Sequence, residues 1–115
     1  VTTPAPFEGL PSAGQQPAYQ CWATAYPLHG LCPILLGAST AATPRLALRW
    51  LRDRTGHITD QLDAPYAQPG RHWLWDEADH ERALTYLAAG RAYQLTLHDE
   101  SAQYVLVVYP SGTAW

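Results

Sequence analysis

The run Tyr104-Val105-Leu106-Val107-Val108-Tyr109 is apolar at every position, so it has no polar face to turn toward water. Its β-branched and aromatic residues suit a strand, and a strand of this composition needs cover on both sides. The run therefore predicts a central strand, stopped by Pro110 and Gly112. Upstream, Tyr93-Gln94-Leu95-Thr96-Leu97 alternates apolar and polar, the pattern of a strand with one wet face. Asp99-Glu100-Ser101 supplies a turn between the two, and the pair reads as an antiparallel hairpin that closes the chain.

Two helices precede this hairpin. Pro44 sits where a helix tolerates it, in the first turn, with Thr43 as N-cap. The helix predicted from Pro44 to about Arg54 puts Ala47, Trp50 and Leu51 on one face beside Leu48. Arg45, Arg49, Arg52 and Asp53 fall largely outside that face, and Gly56 stands at the C-cap position. Residues 57–62 are short and polar, and read as an edge strand. Residues 63–70 form a connector in which Pro69-Gly70 marks a turn. Residues 71–75 read as a strand, with Trp73 and Trp75 facing the core together. The second helix begins near Asp76, Glu77 and Asp79, three acids at the positive end of a helix dipole. It buries Ala83, Leu84, Leu87 and Ala88, and ends at Gly90. Prolines 27 and 33 make residues 21–36 a turn-rich loop leading to a short strand near Ile34 to Leu36. The expected fold class is α+β: a small mixed sheet with two helices, a C-terminal β-hairpin and one disulfide. Residues 1–20 read as an irregular arm and residues 21–115 as a single domain.

With 115 residues, 47% of them hydrophobic and 15% charged, the chain is globular rather than disordered. A formal net charge of -3 and the lack of a basic run argue against nucleic acid as partner. All seven cations are Arg, as a GC-rich bacterial genome would give. No apolar run approaches the roughly 20 residues of a membrane helix. A start at Val1, no Met, and an opening rich in Pro, Gly, Thr and Gln suit an exported protein, periplasmic or extracellular, whose signal segment has been removed. In such a compartment Cys21 and Cys32 most simply form one disulfide, stabilising by roughly 2.5–3 kcal/mol on the chain-entropy model. A free nucleophilic thiol and two inert buried thiols are the other readings.

Two segments carry a family resemblance. Arg45 to Gly56, RLALRWLRDRTG, is similar to the first-helix pattern LxxALxxLxxxTG of the short N-terminal domain shared by secretins and TonB-dependent signalling receptors. Glu81 to Pro110 resembles the same domain's second helix and hairpin, although Gly90-Arg91-Ala92-Tyr93 replaces the usual GTGL. The resemblance spans about residues 34–110. It implies a protein-interaction module of a bacterial envelope system, binding a partner protein through strand edges and helix faces, with no cofactor. The expected contacts are Tyr66 in the connector and His57, Thr59 and Gln61 on the supposed edge strand.

Other constellations are thinner. Gln15 with Cys21-Trp22-Ala23 resembles the active-site segment of papain-like cysteine proteases. A small cysteine hydrolase would use Cys21 as nucleophile, His98 or His80 as base, and Gln15 at the oxyanion. His72, Asp76, Asp79 and His80 are the densest set of possible metal ligands, but they lack metal-site spacing and read as a capped helix start with solvated histidines. An enzyme inhibitor or immunity protein would also fit the size and acidity. With no complete catalytic motif, the sequence favours a binding module over an enzyme.

Overall fold

The computed structural model describes residues 18–30 and 32–111. Two β-hairpins flank three helices: β1 (Tyr19–Pro27), β2 (Ile34–Ala41), α1 (Pro44–Thr59), α2 (Ala64–Leu74), α3 (Glu77–Ala88), β3 (Tyr93–His98) and β4 (Ala102–Pro110). The strands form one sheet in the order β2-β1-β4-β3, with every neighbour antiparallel. The architecture is α+β, as expected. The sheet is not mixed, however, and there are three helices rather than two.

The apolar run is a central strand, because β4 lies between β1 and β3, but it is not covered on both sides: Leu106 and Val108 are buried, whereas Val105, Val107 and Tyr109 are only half-buried. Both sheet edges, β2 and β3, are joined through the helical segment, so the chain must cross the whole sheet. It does so on one side. Along β1, Tyr19, Cys21, Ala23 and Ala25 are buried, and they alternate with exposed Trp22 and Tyr26. The buried set meets Leu48 and Leu51 of α1, Trp73 of α2, Ala83 and Leu87 of α3, and Leu97, Leu106 and Val108 of the second hairpin. Among the described residues no helix covers the opposite face.

The N-capping signals and the stop at Gly90 hold, whereas the C-cap expected at Gly56 does not. Thr43 Oγ1 accepts from the Leu46 N–H at 3.2 Å, with Pro44 in the first turn. Asp76 caps α3 through the Asp79 N–H at 3.0 Å. Gly90 takes φ +80° after α3, a left-handed conformation that glycine adopts without steric cost.

Several expectations fail. Residues 57–62 are not a strand: α1 runs through Gly56 to Thr59. Ala47, Leu51, Thr55 and Thr59 recur every four residues and are all buried. That continuous stripe outweighs the ~1 kcal/mol helix cost of one glycine. Residues 71–75 are not a strand either, since α2 contains Pro69 and Gly70 in its interior. Ala67, Gly70 and Trp73 form its buried stripe, and Gly70 allows a close approach to α1. A Cβ built there would stand 2.2 Å from Thr59 Oγ1. Residues 21–36 are mostly β1 and the start of β2, because Pro27 and Pro33 bracket the strands instead of interrupting them. Of the supposed arm, residues 19–20 belong to β1, and residues 1–17 lie outside the described residues.

The disulfide does not form either. Cys21 and Cys32 are both free. Cys21 points into the core from the middle of β1, whereas Cys32 is exposed in the connection to β2.

Candidate interaction surface

Among the described residues, β2 has one edge with no strand paired to it. Its other side bonds to β1 through Tyr19↔Ala41 to Ala25↔Ile34, with a bulge that leaves Leu36 as the extra residue between Gly37 and Leu35. Nothing on the strand discourages further pairing: its sequence ILLGASTA has no charge and no proline. Ile34 is 53% exposed and Leu35 62% exposed, and Leu36 is exposed as well. Among the described residues, eight large apolar side chains are exposed, and six of them lie in β1, β2 or their connection. The apolar surface is therefore concentrated at one sheet edge.

The uncovered face continues this surface inward. Register places Trp22 opposite Ala38 on one side and Val107 on the other, and Thr24 opposite Leu35 and Val105. The Trp22 ring meets Tyr109 edge-on, with centroids 5.8 Å apart. The opposite edge, β3, presents Gln94 and Thr96 on this face and is more polar.

The residues singled out from sequence fall near this edge only in part. His57 and Gln61 lie on or just beyond the last turn of α1, where they line a hollow of about 270 Å³. Leu36 of β2 and Tyr104 of β4 share that hollow. Thr59 faces the other way, fully buried against Gly70. Tyr66 is half-buried on α2 and meets His98 edge-on at 6.0 Å, so it is not an exposed loop contact. The strand expected near Ile34 to Leu36 is the start of β2, but its extension to Ala41 and its place at the sheet edge were not read, because a short apolar run after Pro33 reads equally well as a buried strand. The signal that was present is the absence of charge from residue 34 to 41.

The cysteine-hydrolase arrangement does not form. Cys21 is fully buried on β1, and burial pushes its thiol up to about 11, the opposite of activation. His80 Nε2 donates to the Trp73 carbonyl at 2.8 Å, and His98 sits at the end of β3 beside Tyr66. Neither bonds to Cys21. Gln15 lies outside the described residues.

The Asp79 cluster proves to be a fastening between helix layer and sheet. The Trp73 indole N–H is shared between Asp79 Oδ2 at 2.7 Å and the Tyr93 hydroxyl at 2.8 Å. Tyr93 and Arg82 also donate to Asp79. Burial alone would raise the Asp79 carboxyl, but the hydrogen bonds from Tyr93, Arg82 and Trp73 outweigh it and hold it below its ordinary value. Burial, reinforced by the Asp79 carboxylate, raises the Tyr93 phenol. His80, expected in solvent, is instead buried with its ring 4.6 Å from Trp73. Among the described residues no group of three or more His, Cys, Asp or Glu could hold a metal ion, and no helix is long and apolar enough to cross a membrane.

Compared with known proteins, the chain matches no family model, no curated protein and no solved structure.

Proposed function

We propose that this chain is a protein-interaction module that captures an extended, uncharged segment of a partner protein as a fifth strand along β2. The observation that carries this reading is the charge-free edge of β2, unpaired among the described residues, with Ile34, Leu35 and Leu36 exposed. Main-chain hydrogen bonds would supply affinity, and alternate side chains would select apolar residues. This is the role implied by the likeness to the secretin and receptor domain, moved from residues 57–62 to Ile34–Ala41. With no disulfide formed, the reading rests on the surface and not on a compartment.

A foreign segment fits better than a second copy. Arg54 lies over Gly37, with its Cζ 3.0 Å from where a Cβ would stand. Antiparallel self-pairing centred on Gly37 and Ala38 would bring two such guanidiniums together on one face of the joined sheet. Like charges so placed are unfavourable.

Selection from random displayed decapeptides, with amide exchange on the selected complex, tests the reading. Selected binders should be uncharged with apolar residues at alternate positions, and should protect the β2 amides that point away from β1. Leu35→Lys, at an exposed position, should leave stability within about 0.5 kcal/mol of the parent and weaken binding at least ~tenfold. Binders that leave β2 exchange unchanged, or a concentration-dependent dimer abolished by Leu35→Lys, would overturn it.

A further inference from the structure

The outer side of the helix layer holds a second surface with different chemistry. A groove of about 660 Å³ opens between α1 and the end of α2, within the size range of ligand clefts. Arg45, Arg49 and Arg52 line one wall of it, spaced i, i+4 and i+7 along a single helix face. Among the described residues the one ion pair is Arg82–Asp79, so these three guanidiniums have no carboxylate partner. Asp53 and Glu77, in the same groove, lie beyond ion-pair distance of them. Like charges at this spacing disfavour the helix, so they are not there for its stability. Leu48, on α1 itself, lines the groove beside the arginines, and the other wall is apolar: Leu74 and Trp75, the latter 85% exposed at the C-cap of α2.

We propose that this groove binds an acidic segment of a partner protein, whose carboxylates pair with Arg45, Arg49 and Arg52 while an apolar side chain packs on Trp75. The spacing selects the class of ligand. Seven residues of helix string the three charges over about 10 Å, a line suited to successive carboxylates of a peptide. A single phosphate would need donors converging on one point. A nucleic acid would need phosphate contacts spread over a wider basic surface than three arginines offer. The inference is independent of strand addition along β2.

The test is fluorescence anisotropy of the whole chain with a labelled octapeptide alternating Glu and Leu, against its Gln-for-Glu counterpart. The Glu peptide should bind saturably, and the Gln peptide at least ~tenfold more weakly. R45E/R49E/R52E, and the milder R45Q/R49Q/R52Q if reversal perturbs folding, should each weaken binding by about tenfold or more. Trp75→Ala should weaken it about fivefold. Arg91→Glu, the same charge change at the end of α3, should leave it unaltered, as should Leu35→Lys. Equal affinity for the two peptides, retention by the triple variants, loss in Leu35→Lys, or displacement by millimolar inorganic phosphate would each overturn the proposal.

Discussion

Replacing Gly70 by alanine tests the contact that sets α2 against α1, and with it the shape of the arginine groove. In an isolated helix the change would stabilise by ~1 kcal/mol, since alanine is the better helix former. In this fold the new Cβ would lie 2.2 Å from Thr59 Oγ1, 3.4 Å from Thr59 Cβ and 3.5 Å from Leu97 Cδ1. The last two are near normal contacts and the first is impossible. Thr59 cannot swing away freely, because helix sterics limit a β-branched side chain to few rotamers and this one is fully buried. Overpacking of this kind costs ~1–3 kcal/mol or more, so a net loss of about 1–2 kcal/mol is expected once the helix gain is subtracted. The obstructing hydroxyl has no hydrogen-bond partner, so removing it sacrifices no bond. Thr59→Ala should therefore relieve Gly70→Ala, and urea unfolding of the parent, both single variants and the double should give a coupling of at least ~1 kcal/mol. A Gly70→Ala protein as stable as its parent, or coupling below ~0.5 kcal/mol, would refute the close packing.

Thiol counting should find two reactive thiols in denaturant and one, Cys32, in the folded protein at pH 8. Cys21 should react only at the rate of unfolding, being fully buried with its thiol raised to about 11. A native count of zero would restore the disulfide. The Asp79 cluster should limit stability at both ends of the pH scale. Its carboxyl is depressed in the fold, so its contribution is present above the unfolded carboxylate pKa of ~3.9 and lost as pH falls through the folded value. The Tyr93 phenol is raised, so its contribution is complete below the unfolded value of ~10 and declines as pH rises above that. Urea midpoints from pH 2 to 11 should show both limbs, with the acid limb shallower in Asp79→Asn. An acid limb unchanged by that substitution would show that Asp79 is not its source.

The sequence by itself determined the features that local chemistry decides. Thr43-Pro44 and the Asp76 to Asp79 acids start helices because unpaired N–H groups at a helix N-terminus need acceptors wherever the helix sits. The hairpin of β3 and β4 was legible because its strands alternate or stay apolar over six residues and are joined by a short turn. Tertiary structure decided the rest. Pro69-Gly70 is a turn signal by local rules, but Gly70 is the residue that lets α2 approach Thr59, so packing makes it helical. Gly56 likewise failed to stop α1 because Thr55 and Thr59 had a buried neighbour to meet. Trp73 and Trp75 were alike in sequence; helix geometry sends one into the Asp79 network and leaves the other in water. The candidate site was the least legible part. An edge strand is defined by the partner it lacks, and strand order follows from how the two hairpins meet through β1 and β4, which no local pattern encodes.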